Sequence, residues 1–317
     1  MRSLRKLVFG ISLKETTFAR RGFWTGGQVA KRRLEHIGRT FLHGYHAAIE
    51  DDQPEVLAFR LDAVEPEFRG FAFEGASMGL ALQDYLTPWR RDRFQAFLAG
   101  PGTAHAYMVH VGFGWALARL RRRLDRPPAR LDNLLGWLAL DGYGFHEGYF
   151  RARHYVEHQA VHRRLSGYAH RVFDQGLGRS LWFVDGADVA RIPKTIAAFP
   201  QSRHADLWSG VGLACSYAGG ADAVAIEDLR RAAGAYVPHL AQGAVFAASA
   251  RQRAGNPAPE TDLACNILCG LTACVASDIA DKALVDLPRD GGDGSEPSYQ
   301  VWRWRIRAQF GDETQML

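Results

Sequence analysis

Asp141-Gly142-Tyr143-Gly144-Phe145-His146-Glu147-Gly148-Tyr149-Phe150 alternates glycines with aromatics and ends on a His-Glu pair before a further glycine. That last glycine belongs to a series. A glycine preceded by a polar or small residue recurs at His43-Gly44, Glu74-Gly75, Glu147-Gly148, Gln175-Gly176, Gln242-Gly243 and Cys269-Gly270. The glycines are 31, 73, 28, 67 and 27 residues apart, so short and long steps alternate. This pattern predicts three copies of a two-helix unit, repeating about every 100 residues. The units span 29–86, 141–184 and 237–284. Four residues after each glycine stands another small residue: Ala48, Gly79, Ala152, Ser180, Ala247 and Cys274. A glycine inside a helix costs about 1 kcal/mol relative to alanine. Repeated use of it therefore implies a compensating gain, which small residues one turn apart supply by letting helix backbones approach closely. Gly112-Phe113-Gly114-Trp115-Ala116 and Gly210-Val211-Gly212-Leu213-Ala214 read as matching connections between units.

Outward from the glycines, alanine, leucine and arginine dominate, and prolines such as Pro54, Pro66, Pro193 and Pro259 fall between windows of helical length. The windows 29–50 and 263–284 read as helices. Only 56–64 alternates like a strand. The fold expected is all-α: a single helical domain over 1–317, with helices packed around a pseudo-threefold centre. The stretch 291–297 reads as a loop, and 298–310, with Trp302 and Trp304, as a last element packed back on the body.

Composition narrows the function classes. A chain of 317 residues can bury a sizeable core, and 47% hydrophobic with 23% charged residues is ordinary for a globular protein. The net charge of +5 sits partly in Arg20-Arg21, Lys31-Arg32-Arg33 and Arg121-Arg122-Arg123, which read as solvated surface. With no zinc-finger spacing and no aromatic RNA-binding signature, nucleic acid is not an expected partner. Of the four cysteines, Cys265 and Cys269 share a helix face, and buried small residues are the expected role. The basic start is too short in apolar residues for a signal peptide, and no run of 18 apolar residues occurs. A cytoplasmic protein, free or peripheral to a membrane partner, is therefore expected.

The residues before the repeat glycines are the first candidates for chemistry. Glu74, Glu147, Gln175, Gln242, His43 and Cys269 are expected to face a shared cavity, or else to satisfy neighbouring helix ends. Glu74 and Glu147 lead, because an unpaired buried carboxylate is costly. With His146 they form a candidate acid–base set. Tyr143, Phe145 and Tyr149 offer flat faces to a conjugated ligand, or serve as core. Gln175, Gln242 and His43 complete the candidate binding set. His154, His158 and His162 recur every four residues and would share one helix face, which suggests a metal site if acidic ligands came from other helices. The surrounding arginines argue instead for a solvated face. His105 and His110 are expected to be buried and neutral. Gly210-Val211-Gly212 lacks the preceding strand of a dinucleotide fingerprint, so the cofactor is left open.

Several runs together resemble one bacterial family. They are Gly10-Ile11-Ser12-Leu13 with Thr17-Phe18-Ala19-Arg20-Arg21-Gly22-Phe23, Arg69-Gly70-Phe71-Ala72-Phe73-Glu74-Gly75-Ala76, and Asp141 to Gly148 as quoted above. Asp174-Gln175-Gly176-Leu177-Gly178-Arg179-Ser180-Leu181-Trp182-Phe183 and Leu207-Trp208-Ser209-Gly210-Val211-Gly212 continue the likeness. The chain resembles the UnbL family, over roughly residues 5–310. The resemblance implies a role in enediyne biosynthesis: acting on, or binding, a linear polyene made by an iterative polyketide synthase, beside a membrane protein, UnbU, and the protein UnbV. It brings no catalytic residues with it. Three kinds of function are thus expected: acid–base chemistry on an apolar polyene, non-catalytic carriage of that polyene to partner proteins, or oxidation at a histidine-bound metal.

Overall fold

A Cβ placed on Gly44 would lie 1.9 Å from the carbonyl oxygen of Ala72, and one on Gly75 would lie 1.9 Å from that of Phe41. Two helix backbones meet there with no room for a side chain, and the same contact recurs through the molecule. The computed structural model describes residues 9–311 except 88, 90, 91, 164 and 289–295. Its helices are α1 (Phe18–Arg21), α2 (Gln28–Glu50), α3 (Pro54–Asp62), α4 (Pro66–Leu86), α5 (Arg93–Ala99), α6 (Ala106–Arg119), α7 (Leu138–Phe150) and α8 (Tyr168–Val184). They continue as α9 (Ile192–Ala197), α10 (Gln201–Ala218), α11 (Ala223–Ala233), α12 (Val237–Ala254), α13 (Pro259–Cys269), α14 (Ala273–Lys282) and α15 (Ser298–Arg307). No strand occurs among the described residues, so the chain is all-α.

The long helices α2, α4, α6, α7, α8, α10 and α12 pack successively, each on the next. Reciprocal glycines mark the crossings. Gly114 and Gly142 face the Ala139 and Val111 carbonyls between α6 and α7, and Gly144 and Gly176 face those of Phe173 and Asp141 between α7 and α8. Gly178 with Gly210, and Gly212 with Gly243, repeat the contact at the next two crossings. Between α4 and α6, Gly112 meets the Glu74 carbonyl, and Ser77 donates its hydroxyl to Val109 O. Small residues two apart on one helix point about 200° apart, to opposite sides. Gly112 and Gly114, Gly142 and Gly144, Gly176 and Gly178, and Gly210 and Gly212 thus each let one helix touch both its neighbours.

The crossings revise the expected repeat. They step by single helices, through Gly44, Gly75, Gly112, Gly142, Gly176, Gly210 and Gly243, rather than by two-helix units. The segments 112–116 and 210–214 are not connections but the middles of α6 and α10. Gly270 is no crossing residue: it ends α13 at φ +68° with open space around it. The window 263–284 accordingly splits into α13 and α14, bent by 68°. The strand expected over 56–64 is helix α3 instead. Pro54 starts it, and Leu57 and Leu61, one turn apart, are fully buried. Those two helical-spaced leucines outweigh the alternation. The expected loop at 291–297 lies mostly outside the described residues.

The row of helices curls so that its ends meet. Arg33 on α2 donates to Ala218 O at the end of α10 and pairs with Glu260 on α13 at 3.0 Å. Arg251 on α12 donates to Glu67 O and Tyr217 O, and Tyr107 OH lies 3.0 Å from Ser249 Oγ. Helix α15 packs on α12 and α14 with Tyr299, Trp302 and Arg303 buried; Trp304 stays exposed. No single helix among the described residues is long and apolar enough to cross a membrane. Among the peripheral helices, α1, α11 and α14 carry side-chain N-caps. At α11 the Asp222 carboxylate accepts from Ala225 N at 2.9 Å. Asp222→Ala is expected to lower stability by about 1 kcal/mol, seen as a lower urea midpoint with an unchanged slope.

Candidate functional site

Glu74 sits at the middle of α4, beside the glycine that crosses α2, and is 3% exposed. Its Oε1 accepts a hydrogen bond from Trp115 Nε1 on α6 at 3.0 Å. Burial pushes its carboxyl up to about 7. Arg179 and the Trp115 bond pull the other way, while Asp141 adds to the rise. A carboxyl half-protonated near neutrality can both give and take a proton.

The carboxyl borders a cavity of about 50 Å3. Eight of its walls are aromatic: Phe41 from α2, Phe71 from α4, Trp115 from α6, Phe145, Tyr149 and Phe150 from α7, Phe183 from α8 and Tyr217 from α10. The Phe41 and Trp115 rings lie 4.3 Å apart, and Trp115 and Phe145 lie 5.2 Å apart. Arg179 lies over Phe145, 5.0 Å from the ring centre. It pairs with Asp141, whose other oxygen accepts from Gln175 Nε2 at 2.7 Å. Gln175 also donates to Tyr299 OH at 3.1 Å. Arg179 is thereby fixed and its charge offset. The cavity's cover is Ile11 and the short 3-10 turn Leu13–Thr16. Arg21 fastens this strap by donating to Phe150 O at 2.7 Å and pairing with Glu15 at 2.7 Å.

The other expected site residues divide. Phe145 and Tyr149, one helical turn apart, face the cavity, whereas Glu147 between them turns away. It lines an open surface pocket with Tyr143, Tyr155 and His162. Its Oε2 accepts from Arg151 at 2.9 Å. Burial raises the Glu147 carboxyl, but His146 and Arg151 outweigh it and hold the group below its ordinary value. His146 Nδ1 lies 3.3 Å from Glu147 Oε1 but lacks hydrogen-bond geometry. Burial lowers the imidazole despite that carboxylate. Glu74 and Glu147 therefore serve different surroundings, and the shared cavity expected for all six residues before the glycines does not exist.

His43 is exposed, because its position on α2 points away from α4. Gln242 Oε1 accepts from Ser209 Oγ at 2.9 Å and from Arg303 Nε at 3.1 Å, so it secures α15. Cys269 Sγ reaches Ala241 O at 3.6 Å. Tyr143 donates to Arg122 O at 3.3 Å. The histidine face also dissolves. Residues 153–157 form a π-turn, His154 and His158 are exposed, and His162 lies beyond the helix, buried against Tyr143 and Tyr155. The four-residue spacing has no continuous α-helix to act on. Among the described residues no group of three His, Cys, Asp or Glu side chains is placed to hold a metal. His105 and His110 are buried, and burial lowers both, His105 to about 4.

Trp115, Arg179, Asp141, Phe41, Phe71 and Phe183 were not among the expected site residues. One signal was present: Arg179 stands between Gly178 and Ser180, four residues after Gln175, so a charge occupies a face of α8 that the glycines mark as crowded.

Neither a curated protein nor a solved structure shows significant similarity to the chain. The sequence profile of the family described as "Protein of unknown function (DUF1702)" matches residues 1–310, and the chain belongs to that family.

Proposed function

We propose that the aromatic-walled cavity binds an apolar, conjugated ligand and that Glu74 exchanges a proton with it. The observation that carries this reading is a carboxyl pushed up to about 7 against eight aromatic walls. Protonation of one terminus of a conjugated diene by the Glu74 carboxylic acid leaves an allylic cation. The faces of Trp115, Phe145 and Phe41 favour such a cation electrostatically. Loss of a proton from another carbon to the Glu74 carboxylate then returns a neutral polyene with a shifted double bond. The step needs no oxidant and regenerates the acid. The likeness to the UnbL family makes a linear polyene on the way to an enediyne core the ligand we favour.

A water-sized group needs about 10–15 Å3 on the scale of this cavity, so 50 Å3 admits only a few carbon atoms. A longer ligand enters by lifting the strap around Glu15 and Arg21. The test is incubation with the linear polyene released by the synthase of an enediyne cassette, in deuterated water, followed by native mass spectrometry. Deuterium is expected in the recovered polyene. Glu74→Gln, which keeps the Trp115 hydrogen bond, is expected to bind the polyene equally and to slow incorporation by about 10²- to 10⁴-fold. Binding without deuterium in the parent protein would leave a carrier, and no binding would sink both readings.

A further inference from the structure

Behind the Glu74 cavity lies a second, smaller one of about 20 Å3. The two share three wall residues, Arg179, Leu213 and Tyr217. The far wall of the inner cavity comes from Val111 on α6 and from Phe246, Ala247 and Ala250 on α12. It is apolar except for Arg179 and the hydroxyls of Tyr107 and Tyr217. Leu213 keeps accessible surface although residues 206–212 and 214–219 around it are buried. A leucine with free space on both sides can change rotamer without displacing a neighbour. Arg179 is tied to Asp141, and its Nε makes no hydrogen bond. The wall between the cavities is thus Leu213, with room to change rotamer, between Arg179, tied to Asp141, and the Tyr217 ring, which packs against Arg251 4.2 Å from its centre.

We propose that the two cavities are the ends of one linear slot, and that the inner one takes the terminus of an unbranched apolar chain whose middle lies across Glu74. This rests on the outer cavity being a ligand site. The slot accounts for two features that proton transfer alone does not: a second void that shares a wall with the first, and alanines rather than larger residues at 247 and 250. The blind end set by those alanines makes the site a length gauge for a straight hydrocarbon.

The experiment is displacement of the fluorescent conjugated fatty acid cis-parinaric acid by straight-chain primary alcohols of graded length. Each methylene gained or lost in an apolar site changes affinity about fourfold. Leu213→Ala, which joins the cavities, is expected to tighten the longest alcohols about tenfold relative to the shortest. Ala250→Leu, which fills the inner end, is expected to weaken the longest about tenfold and leave the shortest within about twofold. If Ala250→Leu does not fold, judged by circular dichroism and thermal melting, Ala250→Val makes the same test. An unchanged length profile in the variants, with cis-parinaric acid still bound, overturns the slot alone. Failure of the parent protein to bind cis-parinaric acid overturns the ligand-site reading as well.

Discussion

Gly176→Ala is expected to lower stability by about 3 kcal/mol or more, at the upper end of what overpacking costs. The new Cβ would lie 1.8 Å from the Asp141 carbonyl oxygen, 2.6 Å from its carbon and 2.9 Å from its Cα. These are backbone atoms of α7, so no rotamer change can make room. The helices α7 and α8 would have to separate by more than 1 Å to reach ordinary van der Waals contact. Separation also pulls at the ion pair of Asp141 with Arg179 and at the Gln175 bond, both of which span the same crossing. Alanine's better helix propensity returns only about 1 kcal/mol. The comparison is Gly27→Ala. Gly27 precedes α2 at φ −124°, and a Cβ there meets nothing within 4 Å. It is expected to change stability by less than about 0.5 kcal/mol. Urea midpoints for the two variants check the claim, and equal midpoints would overturn the account of the crossings.

That contrast shows what the sequence carried. The glycines were legible as crowded positions, because glycine inside a helix has to be compensated. Their grouping was not legible. The series defined by a polar or small residue before each glycine took in Gly148 and Gly270 and passed over Gly112, Gly142 and Gly210. A one-helix step shows only when glycines are paired two apart, as Gly142 with Gly144, since that spacing gives a helix two opposite contact sides. Gly270 follows a helix end, a role that residue type alone does not separate from a crossing. Helix α3 hid behind an alternating pattern because a nine-residue segment holds too few turns for the 3.6-residue period to stand out.

The candidate site was half legible. Glu74 could be chosen because a carboxylate amid apolar residues and glycines is costly to bury. Glu147 satisfied the same rule, yet Arg151, one turn on, pairs with it at the protein surface. An (i, i+4) arginine was therefore the available sign that Glu147 is compensated, and Glu74 has no such neighbour in sequence. Phe145 and Tyr149, one helical turn apart, share the cavity wall, whereas Tyr143, set beside them in the glycine-aromatic run, turns its ring towards His162. Arg179 and Trp115 meet Glu74 from helices far away in sequence, a juxtaposition that only the tertiary crossings create.

The Glu74 carboxyl also has a thermodynamic signature. Its value stands at about 7 in the folded protein against an ordinary 4.5. Between those two pH values the folded state binds more protons at this group than the unfolded state, so stability falls as pH rises through that window. Below about 4.5 the acid is protonated in both states and costs nothing extra. Above about 7 the full penalty is present, on the order of 3 kcal/mol. Glutamine has the same shape and no charge. Glu74→Gln is therefore expected to match the parent protein near pH 4.5 and to exceed it by on the order of 3 kcal/mol at pH 8. Taking the difference between the two proteins at each pH removes the titrations they share, including those of Glu147 and His146. Urea unfolding followed at several pH values measures it, and a difference that does not grow between pH 4.5 and 7 would show that Glu74 is ionised without penalty. A residue whose replacement stabilises the fold at neutral pH is not there for the fold. The proton exchange proposed for Glu74, beside eight aromatic walls, is a use that accounts for that cost.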